Sequence, residues 1–534
     1  MKLMKSCSML AFGVLFAAKS FGQLTSTNLP IVLISTPGAI STTQIQGSMS
    51  IIDNASGVNT PTDAPKFTGM IGINQRGNTT YPKSSYSVET WSAALIAQDT
   101  SLLGLPSEND WVLLSAYEDR SLMRSSMTFN LHQQMGRYAP RMKYCEVLVN
   151  NQYQGVYMFG EKIKRDSLRL DIARLTNIDN SGIDLTGGYI WRIDGGTTAW
   201  TSQVLPPYAS TQTIKFTYDY PSATDITPTQ SAYIKAYTDS FETALNATNF
   251  QDTLLGWRRF GAVNSFIDYM IVQEVSRNFE AYRTNTYLYK DKGTKMRPGP
   301  MWNFELAWKN TVDCNSGLDT GWCYQLGAVC GAESKLPPFW WSRFMQDNMF
   351  VEDLKCRYTF YRKPGNPLDT AVIFHYMDSV SSLLNQTNAT GRNFTQYPIW
   401  GTPLVNEPTP MATNHAEEVN NMKSFIKARI AWLDTKWITT NMACPAPEGL
   451  QEVKYASLFS IYPNPASNQI YVTMDKPNSE AYTAELISMQ GSILQTQRGH
   501  GSQFSVALQD IPSGMYMLRI KTAAGSSCKR IIKE

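Results

Sequence analysis

Between Glu280 and Glu305 the chain sets out an acid, an amide five positions later at Asn285, two extended runs, and then a polar pair at Asn303 and Glu305. A carboxylate can orient or deprotonate an acceptor hydroxyl. Amide and carboxylate oxygens are the hard ligands that Mg²⁺ takes. An acid and an amide at this spacing, with a further oxygen ligand carried in behind them on a strand pair, is the set that phosphoryl transfer from ATP employs. On that basis Glu280 is expected as the acceptor-orienting base, and Asn285, Asn303 and Glu305 as metal-side ligands. The same spacing also describes a polar helix end running into a β-hairpin.

Further residues upstream suit the other half of that chemistry. Arg76-Gly77-Asn78-Thr79-Thr80 lies between two strand-like runs, where backbone N–H groups and hydroxyls can cradle phosphates. Arg76 and Asn78 are therefore candidate phosphate contacts, and Lys83 opens the next strand where an ammonium would reach phosphates. Glu161 and Lys162 close the strand-like run Gly155-Val156-Tyr157-Met158-Phe159. There the backbone would meet a nucleotide base, and the Glu161 side chain would meet a cation. Each has a plainer alternative: an ordinary hairpin at Gly77, a solvated lysine at 83, a strand-end salt bridge at 161. Asp119 and Arg124 are expected to cap and brace a helix. Arg283 is expected to neutralise phosphate or to pair with Glu280.

The elements that must position these side chains are mixed. Strand patterns fall at 68–74, 84–91, 144–149 and 155–160. Leu122, Met123, Met127, Leu131 and Met135 recur at helical spacing and predict a helix over 119–136. Helices are also predicted over 231–247 and 259–279, the second buried because it is apolar all round. The Thr-, Ser- and Pro-rich stretch 195–230 is expected to be an insertion, and 387–415 a long surface loop. The main part of the chain is therefore α+β.

Several of these segments follow one another in a family order. Gln75-Arg76-Gly77-Asn78-Thr79-Thr80-Tyr81-Pro82-Lys83 precedes Asn109-Asp110-Trp111 and Tyr117-Glu118-Asp119-Arg120-Ser121-Leu122-Met123-Arg124. Gln154-Gly155-Val156-Tyr157, Tyr287-Leu288-Tyr289-Lys290 and the Trp302 segment come after. This series resembles the CotH family of spore-coat-type atypical kinases over roughly residues 29–440. The resemblance implies a two-lobed kinase-like domain using ATP and Mg²⁺ (or Mn²⁺) on Ser or Thr of a secreted or surface protein. It also implies Asp where this chain has Glu280 and Asn303, so one ligand has lost its charge. Two other classes stand beside it: a kinase-like pseudoenzyme or surface-binding protein with a degraded metal site, which follows from Asn303, and a glycan hydrolase using Glu280 and Glu305 as paired carboxylates.

The ends of the chain speak to its destination. Lys2 and Lys5, an apolar run from Met9 to Ala18 and a small residue at Gly22 predict a signal peptide over 1–22. Later segments offer no run of ~18 apolar residues, so no transmembrane helix is expected. Pro445-Ala446-Pro447-Glu448-Gly449 opens a linker at 445–457. Beyond it, 458–534 alternates apolar and polar residues between Gly, Pro and Asn clusters, and a small all-β immunoglobulin-like sandwich is predicted. Its Tyr462-Pro463-Asn464-Pro465 opening, Gly514-Met515-Tyr516 strand and basic-apolar tail resemble the type A sorting domain of the type IX secretion system. That resemblance implies contact with the secretion machinery and a secreted or outer-membrane surface-attached product.

Composition excludes other classes. With 47 basic and 44 acidic side chains the net charge is only +3, which argues against nucleic acid as a partner. Four histidines without metal-ligand spacing make a zinc centre a poor expectation. Cys314, Cys323 and Cys330 cluster in a Gly-rich stretch, where a loop-closing disulfide is expected without its pairing being readable.

Overall fold

The structure is a computed structural model that describes residues 24–439 except 210, Cys444, and 459–474, 481–488, 493–522 and 525–533. The predicted leader at 1–22 and linker at 445–457 lie outside the described residues. Two compact units divide the chain, 1–445 and 446–534.

In the first unit seven strands close into a barrel: β1 (Ile31–Ser35), β2 (Ile45–Ile52), β3 (Phe67–Arg76), β4 (Ser85–Trp91), β5 (Asp110–Leu114), β6 (Met142–Val149) and β7 (Gln152–Glu161). Their order is β1-β2-β3-β4-β5-β7-β6, and a parallel pairing of β1 with β6 closes the ring. The period of two decides what lies inside. Ile71 and Ile73 of β3, Trp111 and Leu113 of β5, and Tyr157 and Phe159 of β7 share one core. The four strands anticipated in this region fall within β3, β4, β6 and β7, up to one residue at the ends. Gly77, with φ of +69°, turns β3 toward β4, a conformation that costs glycine little.

Between β5 and β6 the chain makes helix α1 (Arg124–Gln134), shorter than the 119–136 expected. Asp119 explains the late start, since its carboxylate accepts from Ser121 N, Ser121 Oγ and Arg124 N and holds the preceding loop outside the helix. An ion pair between Asp119 and Arg124 then braces that corner, as expected for the two residues.

A second, five-stranded sheet follows, built from β8 (Tyr189–Ile193), β9 (Trp200–Thr201), β10 (Lys215–Tyr220), β11 (Thr286–Lys290) and β12 (Arg297–Pro298) in the order β12-β11-β8-β10-β9. The stretch 195–230 is therefore part of this sheet. Phe216 of β10 is fully buried and stacks on Trp200 of β9, which fixes a segment whose polar composition had suggested an insertion.

Helix α2 (Pro228–Asn246) starts with a capping box between Thr227 and Gln230 and with Pro228 in its first turn. Helix α3 (Val263–Ser276) is buried on every side, as its composition requires, and packs against α1. It is shorter than 259–279 because Trp257–Arg259 form a separate turn and Arg277, with φ of +48°, ends it. The remaining helices are α4 (Leu326–Val329), α5 (Trp340–Phe344), α6 (Asn348–Tyr361), α7 (Thr370–Asn385), α8 (Ala389–Gln396) and α9 (His415–Trp437), with α6 and α9 also lying on α3. Helix α8 occupies part of the expected loop 387–415. Its Ala-Thr-Gly-Arg-Asn-Phe-Thr-Gln sequence has little intrinsic helix preference, and packing on β7 holds it. Disulfides join Cys314 to Cys330 and Cys356 to Cys444, leaving Cys323 a buried thiol between the first pair.

The second unit is all-β. A three-stranded sheet of β13 (Phe459–Tyr462), β14 (Gln469–Met474) and β17 (Gln503–Ala507) shares one core with a four-stranded sheet of β15 (Tyr482–Ser488), β16 (Ile493–Gly499), β18 (Gly514–Thr522) and β19 (Gly525–Lys533). Among the described residues no helix is long and apolar enough to cross a membrane.

Candidate active site

The turn after α3 carries the first two candidate residues. Asn278 accepts from the Glu280 N–H at 3.1 Å, and its own amide donates to Gln273 in α3, so the turn is tied to the helix it leaves. Tyr282 anchors the turn from below. Its hydroxyl donates to Glu274 at 3.1 Å and its ring lies 4.2 Å from that of Trp341. Glu280 and Asn285 remain half-buried above this anchor. Asn285 has φ of +48° and Asn303 φ of +57°. Both are left-handed, a region that Asn tolerates better than most residues.

The segment after β12 brings the second pair. Asn303 Nδ2 donates to Glu280 Oε2 at 2.6 Å, so two groups 23 positions apart meet directly. Ser125 of α1 accepts from the Phe304 N–H. Asn310 then donates through one amide nitrogen to the carbonyls of both Glu118 and Glu305, each at 2.8 Å. This fastens the Glu305 segment to the loop before α1.

Charge gathers at this point. Burial pushes the Glu305 carboxyl up to about 8, and the charges of Glu118, Asp119 and Glu280 push the same way while Lys83 opposes them. Glu280 is raised chiefly by burial, against the charge of Arg283. Glu118 is raised by burial and held down by the Tyr81 hydroxyl that donates to it. Lys83 is only 2 % exposed, and burial draws its ammonium down to about 7 against the pull of Glu305. It donates to the carbonyls of Ser115 at 2.7 Å and Val156 at 2.6 Å and to Asn393 Oδ1 of α8 at 2.9 Å. All three ammonium protons thus have acceptors.

Lys83, Glu280, Asn303 and Glu305 therefore belong to one neighbourhood, with Asn285 on the Glu280 turn. The other candidates lie differently. Arg76, at the end of β3, places its guanidinium 5.0 Å over the Trp302 ring, and burial lowers it in a setting shared with Tyr287, Arg192 and Asp219. Asn78 closes the exposed turn by accepting from Thr80 N and Oγ1. The buried Glu161 carboxylate accepts from Arg141 and Tyr138, so its side chain forms the strand-end ion pair. Arg283 pairs with Glu333 at 2.7 Å and not with Glu280.

Three contributors escaped the sequence reading. Glu118 stood in a quoted motif without a role, and its only local signal was an acid directly before Asp119. Asn310 and Asn393 carried no signal, because each acts through a contact more than 190 positions away.

The donor set fits a hard divalent cation in its chemistry, since Glu280, Asn285, Asn303 and Glu305 carry carboxylate and amide oxygens. Glu118, Glu280 and Glu305 do not bring their oxygens within 4.8 Å of one another as a set. Mg²⁺ is usually held by one or two carboxylates together with waters and phosphate oxygens. A cavity of about 460 Å³ adjoins this segment, lined by Asn310 and by Arg120, Arg124, Glu407 and Glu418. The last four are already joined as two ion pairs, so the chemistry is not assigned to that cavity.

Residues 73–433 match the family model described as CotH kinase protein. That is more than half of the chain, and the chain belongs to the CotH family. Residues 460–534 match the Secretion system C-terminal sorting domain, so the protein is one that is secreted or attached at the cell surface by that route. No individually curated protein matches the sequence.

Proposed function

We propose that this chain is a secreted atypical protein kinase that transfers the γ-phosphoryl group of ATP to Ser or Thr of a secreted or surface protein. The bond between Asn303 and Glu280 is the observation that supports it best, because it brings together two residues that the sequence assigns to the base and the ligand set. In this reading the barrel forms the larger part of an N-terminal lobe and the α3-centred helices a C-terminal one. The tail is an immunoglobulin-like sandwich recognised by the type IX machinery.

Glu280 accepts the proton of the acceptor hydroxyl. Asn285, Asn303 and Glu305 would hold Mg²⁺ or Mn²⁺, which when bound would neutralise charge on the phosphates. Lys83 sets the positive field behind Glu305, with Arg76 and Asn78 at the phosphate turn. Glu161 contributes through its backbone at the end of β7, since its carboxylate is held by Arg141. Carboxyl burial suits a base, because a raised affinity for protons brings it nearer to working pH.

A second reading has its own observation. Lys83 donates to three protein acceptors, so it has no proton left over for a phosphate in this arrangement. That favours a pseudoenzyme that keeps the fold for surface binding. Titration of the mature protein with ATP and Mn²⁺ separates the two. Binding followed by phosphate transfer to a Ser/Thr substrate supports the kinase, and absence of nucleotide binding at millimolar ATP supports the pseudoenzyme.

A further inference from the structure

Glu280 lies three residues from a buried arginine on either side, and the two arginines grip opposite ends of one loop. Arg277, 5 % exposed at the end of α3, donates to the carbonyl of Asn315 at 3.3 Å. Arg283, 6 % exposed, donates through Nη1 to the Glu333 carboxylate at 2.7 Å and to the Lys335 carbonyl at 3.1 Å. Its Nε donates back to the Phe279 carbonyl at 3.0 Å. Asn315 follows Cys314 directly, and the Glu333 N–H donates to the carbonyl of Cys330 at 3.0 Å. The Cys314–Cys330 disulfide therefore joins the two arms that the arginines hold. A ring of covalent and hydrogen bonds runs from Arg277 through both cysteines to Arg283 and closes across the Glu280 turn.

We propose that this disulfide is a redox-conditional clamp, with Arg283 and Glu333 as positioning residues that set Glu280 in place once the bond has formed. The role of Glu280 rests on the kinase reading, whereas the clamp itself does not. Apart from Gln212, which donates to the Glu333 carbonyl, little else holds the second arm, since Gly331, Ala332, Ser334 and Lys335 are exposed. The Glu333 side chain is 29 % exposed. An ion pair at such a place adds little when a loose chain must be ordered to make it. Closing the loop beforehand removes that ordering from the pair. Closure passes two electrons and two protons from the Cys314 and Cys330 thiols to a disulfide oxidant, which leaves as a dithiol. Thiols stay reduced in the cytosol and pair in oxidising compartments. A chain carrying this sorting domain thus completes the turn during export.

Amide hydrogen exchange of the full mature chain reads the turn without an activity assay, because the Ala281 and Arg283 N–H groups donate within it to the Asn278 and Glu280 carbonyls. Cys314→Ser with Cys330→Ser removes this disulfide and leaves Cys356–Cys444 in place. That pair, and separately Glu333→Ala, should each speed exchange over 278–285 by about tenfold while α3 keeps its protection. Combining them should add little, because both act through one arm. In transfer assays kcat should fall with KM for ATP held within about twofold. Wild-type exchange over 278–285 in either variant, equal loosening of α3, fully additive effects or undiminished kcat would each overturn the clamp. The expected exchange changes in a chain whose wild type transfers no phosphate would sink the kinase reading and leave the clamp standing.

Discussion

Asn303 donates to Glu280 at 2.6 Å, so the amide that stands where the family resemblance implies a charged ligand is held by the acid that stands where it implies the base. The bond fixes Nδ2 on the acid, so the carbonyl oxygen of the same amide is the atom it would offer a cation. It also links the two departures from the family pattern into one contact.

Asn303→Asp replaces that donor with a second carboxylate beside Glu280. Without metal the variant should melt below wild type, because like charges are pressed together. With Mn²⁺ and ATP it should bind about tenfold tighter and gain about 1.4 kcal/mol more from saturating ligand than wild type does. Parallel melts with and without Mn²⁺-ATP measure both signs. Equal ligand-induced shifts in the two proteins would remove Asn303 from the ligand set.

Glu280→Ala should lower phosphoryl transfer by about 10²–10⁴, the range for a positioned acid–base group. Its fold should survive, since Tyr282 and Asn278 anchor the turn independently of Glu280. Autophosphorylation assays beside circular dichroism decide this. Undiminished transfer would show that another group takes the proton.

Stability should depend on pH through Glu305 and Lys83. Glu305 rises from its ordinary 4.5 to about 8 in the folded chain. Between those values the folded state keeps a proton that the unfolded state has lost, so this contribution falls as pH rises. Lys83 drops from 10.5 to about 7. Between those values the unfolded state holds the extra proton, and the Lys83 contribution to stability rises with pH. In chelator, Glu305→Gln should match wild type near pH 4.5 and exceed it near pH 8. Urea unfolding across that range reads the difference, and parallel curves would count against the assignment.

Asn393→Ala should destabilise the first unit by about 3 kcal/mol, because a buried ammonium and the Val156 N–H lose an acceptor together. Gly155→Ala should act on the same contact. A Cβ there would stand 2.5 Å from Asn393 Oδ1, on a backbone with φ of +91°. Denaturant titration of both variants tests this, and a loss below about 1 kcal/mol in each would show that water replaces the amide.

Export should remove both ends of the chain. Material recovered from outside the cell is expected to begin near Gln23 and to end within 445–457. Intact-mass measurement checks each terminus separately, and a secreted species that retained residues 458–534 would refute removal of the sorting module.

Local patterns carried much of this architecture. Period-two alternation located β3, β4, β6 and β7, because each buries one face in the barrel. The ordered motifs brought Lys83, Glu280, Asn303 and Glu305 forward as a group. What escaped depends on contacts distant in sequence. Helix α8 has a polar, Gly-containing sequence that packing alone makes helical. Strand β10 looked like loop because Thr and Ser dominate its surroundings, although buried Phe216 fixes it in the sheet. The Glu161 carboxylate faces Arg141, a partner 20 positions earlier that strand patterning does not reveal.

The acceptors of Lys83 have an order in time. The last barrel strand ends at Glu161, so a chain growing from its N-terminus has all seven strands in hand when fewer than a third of its residues exist. Two of the carbonyls that receive the ammonium are present by then, but Asn393 arrives 310 residues after Lys83. Until it does, an incompletely paired cation opposes its own burial. The third acceptor of the lysine therefore comes from α8, far along the chain from the barrel that surrounds it. The barrel's own burial of Lys83 is complete only with a residue from the C-terminal part of the unit.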